Sequence, residues 1–259
     1  MEQKSLSFIG AGRVTKIFLQ AFKNRDVSFK SISVLDTNID VLNKINKDFP
    51  GVNITSDDLH QIMRGDIVFI ALHPPVIMEM LEKIKPLITG KTVLVSLAPK
   101  ITIEKINLKL EGFNNIARLI PNAPSAINEG YNPVCFSTGI PASDKQYLIK
   151  LFEVLGKCIV VDEPKLEAYA IVTAMSPTYF WFQFNELSEI GKKIGLTEEE
   201  CRKGISETVK ASVNTLFSSG MTVNDVIDLI PVKPISEHES QIKEIFNSKL
   251  ISLYEKIKP

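Results

Sequence analysis

Apolar and polar positions follow two different patterns along this chain. In the first part, short apolar runs alternate with stretches of helical spacing: SLSFIG near the start, SISVLD at 31–36, DIVFIAL at 66–72 and TVLVSL at 92–97. Nearly continuous apolar runs of this length suit strands covered on both faces, as in a parallel sheet. Between them, Val14, Ile17, Phe18, Ala21 and Phe22 recur at the spacing of one apolar helix stripe, and PVIMEMLEKIKPLI repeats the pattern. NIARLIP, PVCFSTG and KCIVVDEP are three further strand candidates. Strands alternating with helices predict βαβ units and a doubly wound sheet.

After about residue 163 the pattern becomes helical throughout. KLEAYAIVTAMSPTYFWFQFNELSEIGKKIG is apolar on more than one side, and Ser176-Pro177 predicts a kink or break, since proline lacks an N–H and crowds the preceding turn. Thr197 with Glu200, and Ser236 with Glu239, have capping-box spacing and predict two helix starts. Gly220 fits the end of the first of these helices, Thr222 a short helix through Ile230, and PVKP at 231–234 a break before a last helix to about Lys258. The expected architecture is α/β: a Rossmann-type doubly wound sheet over 1–163, then an all-α domain over 164–259.

Composition changes this picture little. The 259 residues, 44% hydrophobic and 23% charged, describe an ordinary globular protein. Lys plus Arg and Asp plus Glu both number 30, which provides no whole-chain basis for nucleic-acid binding. Cys135, Cys158 and Cys201 are too far apart for a zinc site and are read as inert thiols of a reducing compartment; no metal is expected. MEQKSLSFIG is polar and short for a signal peptide, and no apolar run approaches the ~20 residues of a membrane span. These features predict a cytoplasmic protein with no membrane partner.

The first chemistry appears at Gly10-Ala-Gly12-Arg13-Val14-Thr15, between strand and helix. The first glycine permits the tight turn, and the second lets backbone approach a pyrophosphate seated on the helix N-terminus. Thr15 takes the third position of the fingerprint, where it can pack if helix and sheet stand slightly farther apart. Asp36 ends the second strand, where a carboxylate can accept hydrogen bonds from ribose hydroxyls. A tight turn with a solvated Asp36 is the plain alternative; dinucleotide binding is the reading that the strand–turn–helix context favours.

With those residues on view, the chain resembles the pyrroline-5-carboxylate reductase family over nearly its whole length. FIGAGRVTKIFLQAF, VFIALHPPVIMEMLEKIKPLI, LVSLAPKITIEKI, ARLIPNAPSAINEG with its Arg-x-x-Pro-Asn-x-Pro motif, SPTYF and LFSSGMTVNDVIDLI carry the likeness, and PNAP is its most specific stretch. The resemblance implies a Rossmann domain, a helical dimerisation domain, and NAD(P)H-dependent reduction of a cyclic imine to proline at a site shared between subunits of a homodimer or higher oligomer. Gly10, Gly12, Arg13, Val14, Asp36, Ala71, His73, Pro74 and Ala98 are the candidate cofactor contacts. Asn122 and Ser236 are the candidate catalytic residues, and Lys233 and Ser236 the candidate substrate contacts. The sequence departs from the family pattern in three places: His73 in LHPP stands for lysine, Pro99-Lys100 for Ala-Gly, and IPVKPISEHE for a Gly-rich, Thr-rich loop.

Each residue also has a plainer role. Ser236 can be an N-cap, Lys233 a solvated lysine, His73 a loop histidine, and TYFWFQF a helix core or dimer seam rather than a base-stacking platform. His60 and His238 stand among charged residues at the surface. Asp36 favours NAD over NADP, because a 2′-phosphate would meet its carboxylate. A reductase of another ketone, imine or hydroxy acid, and a dinucleotide-binding dimer without catalysis, remain as alternatives.

Overall fold

The computed structural model describes residues 3–259, so the first two residues of the expected N-terminal domain, and of the stretch read against a signal peptide, lie outside it. Backbone contacts divide the chain into two compact units, Met1–Met175 with Leu253–Pro259, and Ser176–Ser252. The sequence placed the junction at 163/164, and the last seven residues group with the first unit.

The first unit is built on eight strands: β1 Ser5–Ile9, β2 Ser31–Leu35, β3 Asn53–Thr55, β4 Ile67–Ile70, β5 Val93–Ser96, β6 Ile116–Leu119, β7 Gly130–Phe136 and β8 Gly156–Val160. They form one sheet in the order β3-β2-β1-β4-β5-β6-β7-β8. Every pairing is parallel except β6 with β7. A parallel return needs a crossover, usually a helix, and between β6 and β7 the chain has only the 3₁₀ turn Ala123–Ile127. The seven strands expected from the apolar runs are present. The three-residue edge strand β3 has one exposed and two half-buried positions, too weak an apolar signal to read.

Helices α1 Arg13–Asn24, α2 Ile39–Asp48, α3 Leu59–Ile62, α4 Pro74–Ile84, α5 Ile103–Lys109 and α6 Ala142–Glu153 connect the strands. Alternate strand residues sort onto two faces, as the pleat requires. Leu6, Phe8, Ile67, Phe69, Val93, Val95, Ala117 and Leu119 share one core with Phe18, Phe22 and Phe152. Ile9, Val68, Ile70, Leu94 and Ile116 share the other with Ile77, Leu81, Ile84 and Ile106. Phe8 and Phe69 stack at 4.5 Å between ring centroids, and Phe18 meets Phe8 edge-on at 5.7 Å. The α1 stripe is turned slightly from the expected one: Thr15, Phe18, Leu19, Ala21 and Phe22 are buried, while Val14 and Ile17 are half-buried.

Asp66 ties the start of β4 to the start of β1. Its Oδ2 accepts from the Ser5 amide at 2.7 Å and the Ser5 hydroxyl at 2.6 Å. Burial pushes this carboxyl's pKa up, but the Ser5 bonds and the Lys4 and Lys30 charges outweigh it, and the net direction is down. A pKa lowered by folding stabilises the fold above the ordinary value of 3.8, and that stability is lost as pH falls through the folded value. Asp66→Asn is therefore expected to cost about 1–2 kcal/mol at neutral pH. The gap to wild type should narrow once pH falls below 3.8 and through the lower folded value. Urea denaturation at pH 7, 5 and 3 measures it, and a gap independent of pH refutes the assignment.

Past β8 the chain forms a 3₁₀ turn at Glu163–Lys165, α7 Leu166–Tyr169 and a π-helical turn at Ala170–Ala174, then α8 Pro177–Lys193. The interruption expected at Ser176-Pro177 is this π turn, in which the Met175 amide reaches the Ala170 carbonyl at 3.0 Å. Pro177 has no N–H to return to the Thr173 carbonyl, and the Asn122 amide group donates to that oxygen at 3.3 Å.

The second unit contains α8, α9 Glu198–Ser218, α10 Val223–Asp228 and most of α11 Glu239–Ile257. Complete capping boxes start α9, from Thr197 and Glu200, and α10, from Thr222 and Asp225. The expected box at Ser236 and Glu239 does not form: Ser236–His238 is a 3₁₀ turn without a side-chain cap, and Glu239 pairs with Lys243 at 2.5 Å. Gly191 lets Cys201 pack against α8, since a Cβ there would lie 2.6 Å from its Sγ. Gly191 and Cys201 are the only buried residues among those described in this unit. Trp181, Phe182, Ile194 and Phe217 are exposed, the last by 78%. Burial pushes the thiols of Cys135 and Cys158 up to about 12, so neither is a nucleophile at neutral pH. No described helix is long and apolar enough to cross a membrane.

Candidate active site

The carboxyl ends of β2, β1, β4, β5 and β6 lie side by side, because the register aligns Leu35, Ile9, Ile70, Ser96 and Arg118 across the sheet. The turns leaving those strands carry the sequence candidates. Gly10 donates to the Leu35 carbonyl at 2.7 Å and has φ +106, a conformation that side chains rarely adopt. A Cβ on Gly10 would lie 2.5 Å from the Ala71 carbonyl oxygen, so the β4 turn occupies the space that glycine leaves. A Cβ on Gly12 would meet nothing within 4 Å. Gly12 is the N-cap of α1 and brings no side-chain cap, which leaves the first amides of the helix facing outward. That geometry fits a pyrophosphate.

Asp36 sits where the fingerprint requires it. Its Oδ2 accepts from the Ala11 amide at 2.8 Å and its Oδ1 from the Asn38 amide at 2.9 Å. The carboxylate thus braces the glycine turn while standing beside it. Thr15 is fully buried, and its hydroxyl donates to the Gly10 carbonyl at 2.6 Å, so the missing third glycine becomes a hydrogen bond that closes the turn. Arg13 is exposed and Val14 packs partly against the core. Ala71 donates to the Ile9 carbonyl at 2.9 Å, His73 is the exposed N-cap of α4, and Pro74 is its first residue.

The turn after β5 is held from below by charge. Arg118 of β6 is fully buried; it donates to Glu163 Oε1 at 2.7 Å and also to Glu167 Oε1. Burial alone would lower the guanidinium's pKa, but the two carboxylates raise it. Glu163 also accepts the Ile103 amide at 2.7 Å, and Glu167, 1% exposed, the Lys100 amide at 3.0 Å. The two carboxylates therefore fix both ends of the segment from Lys100 to Ile103. The Ala98 carbonyl lies 3.5 Å from the same guanidinium. Sequence reasoning gave Glu163 and Glu167 no role. An arginine inside the apolar strand NIARLIP, followed by glutamates one helical turn apart, was the available signal.

Asn122, 7% exposed, brackets the next turn. Its Oδ1 accepts the Tyr131 amide at 3.1 Å while its Nδ2 reaches Thr173. Ser236 and Lys233 belong to the second unit and are exposed there. Among the described residues no cluster of His, Cys, Asp and Glu could hold a metal. A cleft of about 400 Å³ lined by Arg64, Asp66, Lys91 and Thr92 opens at the amino ends of β4 and β5, away from these turns.

Comparison with known proteins matches this architecture. The family model described as NADP oxidoreductase, coenzyme F420-dependent, matches residues 5–99. The pyrroline-5-carboxylate reductase of Staphylococcus saprophyticus is 26% identical over 222 residues, 85% of this chain and 82% of the relative. The Plasmodium falciparum pyrroline carboxylate reductase structure, solved with NADP bound, superposes with a TM-score of 0.83 at 23% identity, covering 100% of this chain and 98% of that one. The Streptococcus pyogenes 1-pyrroline-5-carboxylate reductase gives 0.79 at 16% identity, covering 100% and 99%. A glycine turn, a bracing carboxylate and a doubly wound sheet with an appended helical unit define an NAD(P)-dependent oxidoreductase. Within that class, the chain is similar over most of its length to pyrroline-5-carboxylate reductases.

Proposed function

We propose that this protein reduces pyrroline-5-carboxylate to proline. The carrying observation is the Gly10–Gly12 turn, with uncapped amides at the α1 N-terminus and Asp36 beside it, in a chain that follows reductases of this name over its full length. A bound nicotinamide cofactor would supply the hydride to the imine carbon, and a proton reaches the nitrogen. The protein's share is to hold the dinucleotide across the strand ends and to orient the imine.

In this reading Gly10, Gly12, Arg13, Val14 and Asp36 hold the adenosine and pyrophosphate side, and Ala71, His73, Pro74 and Ala98 the nicotinamide side. Asn122 acts by fixing the turn after β6, and Ser236 and Lys233 act on the substrate. NADH is the preferred donor, because the Asp36 carboxylate would oppose a 2′-phosphate by about 4 kcal/mol at 4 Å and an effective dielectric near 20, less whatever solvent screens. A homodimer through residues 165–259 covers the apolar side chains that the second unit leaves exposed. Light scattering tests that assembly, and a monomer at micromolar concentration refutes it.

Steady-state oxidation of NADH and NADPH with pyrroline-5-carboxylate tests the activity, together with Ser236→Ala and Lys233→Ala. The expected result is turnover that favours NADH and falls in both variants. Efficiency near or above about 10⁴ M⁻¹s⁻¹ in wild type and both variants would remove Ser236 and Lys233 from the site. Micromolar cofactor binding without turnover of any imine would favour a dinucleotide-binding dimer instead, a reading consistent with the loss of two amide donors at Pro231 and Pro234.

A further inference from the structure

Lys100 has φ +73, a left-handed backbone that favours glycine. Of the other non-glycine residues with positive φ among those described, Asp26 and Glu111 follow the ends of α1 and α5, and Asn128 is of a type that tolerates this conformation. Lys100 stands in the turn that leaves the carboxyl end of β5. The conformation is held from beneath: the buried Arg118–Glu167 pair, its carboxylate accepting the Lys100 amide at 3.0 Å, fixes the turn. Glycine would adopt this backbone without strain, so a lysine here points to a use for its side chain.

That side chain is exposed, and its position suits an anion. In a doubly wound sheet the dinucleotide crosses from one half to the other at the strand ends. Asp36 marks the half at β1 and β2, which leaves the turns after β4, β5 and β6 for the nicotinamide. Lys100 brings an ammonium with three donors to the β5 turn.

We propose that Lys100 is a specificity-determining residue that recognises the carboxylate of the imine substrate. This rests on the reductase reading above. Its chemical logic is replacement: Pro231 and Pro234 can offer no amide to a carboxylate, and a cation on the β5 turn takes over the charge recognition. The competing role is a latch, since Lys100 Nζ lies 3.5 Å from the Lys256 carbonyl near the end of α11.

The test uses the full-length protein with Lys100→Met, Lys100→Arg and Lys100→Gly. Turnover is measured with pyrroline-5-carboxylate and with 1-pyrroline, the same ring without its carboxylate, alongside NADH affinity and thermal midpoint. Lys100→Met is expected to raise KM for the carboxylated imine at least about tenfold, the lower end for a lost charge-assisted hydrogen bond. It should leave 1-pyrroline and NADH within about twofold, and Lys100→Arg should retain most of the discrimination. Lys100→Gly is expected to raise KM as methionine does while raising the thermal midpoint, because the backbone strain is relieved. Equal effects on both imines, or none, overturn the proposal. A lowered midpoint in Lys100→Met with unchanged discrimination identifies the latch. If wild type turns over neither imine, the reductase reading falls, and calorimetry of L-proline binding to the cofactor-loaded protein decides the carboxylate site separately. Binding lost in Lys100→Met upholds the site; equal binding, or none in wild type, overturns it.

Discussion

Gly10→Ala is expected to destabilise the fold by roughly 2–5 kcal/mol and to abolish dinucleotide binding. Two costs combine. At φ +106 an alanine is strained wherever its methyl points. That methyl also falls 2.5 Å from the Ala71 oxygen and 3.0 Å from the Ala71 carbonyl carbon, and backbone cannot swing aside as a side chain can. Relief requires the β1 and β4 turns to separate, and these turns form the floor of the proposed cofactor site. Gly12→Ala provides the contrast. Its methyl meets no protein atom within 4 Å and φ is −70, so the thermal midpoint should stay near wild type while cofactor affinity falls. Differential scanning calorimetry with NADH titration separates the two. A Gly10→Ala protein with a wild-type midpoint would refute the close approach of the two turns.

Arg118→Met is expected to cost about 3–5 kcal/mol, because it strands two carboxylates that the guanidinium neutralises. Glu167 is the more exacting partner: it is 1% exposed, its Oε2 has no hydrogen-bond partner in the structure, and water cannot readily replace the arginine. Adding Glu167→Leu should recover part of the loss, since an apolar pair of similar volume carries no desolvation penalty. Recovery should be incomplete, because the Lys100 amide then lacks its acceptor. Denaturant unfolding of the two single variants and the double at neutral pH gives the coupling. Additive losses would show that the ion pair is not the unit that holds the β5 turn.

The sequence revealed the architecture where one local rule governed a whole element. Continuous apolar runs marked β4 and β5, because strands covered on both faces have no polar side. Thr197 with Glu200 marked a helix start, because a capping box needs only a spacing of three. The same spacing at Ser236 and Glu239 failed. There the entry is a 3₁₀ turn, and Glu239 pairs with Lys243.

For the candidate site, the chain's own order placed Gly10, Gly12 and Asp36 in a strand–turn–helix and at the end of the next strand, which are local features. What lies under the turn could not be read that way. Arg118, Glu163, Glu167 and Lys100 meet only because β6 pairs with β5 and the chain returns after β8 to place Glu163 and Glu167 beneath the β5 turn. Asn122 likewise read as a polar residue between prolines, and only the fold shows its side chain bridging Tyr131 and Thr173. Sequence determined where the backbone must bend and which faces must be buried, because propensity and periodicity act within an element. Tertiary structure decided which charge answers which, because Coulomb and hydrogen-bond partners are chosen by distance in space, and a buried group accepts only the partner that the packing brings within about 3 Å.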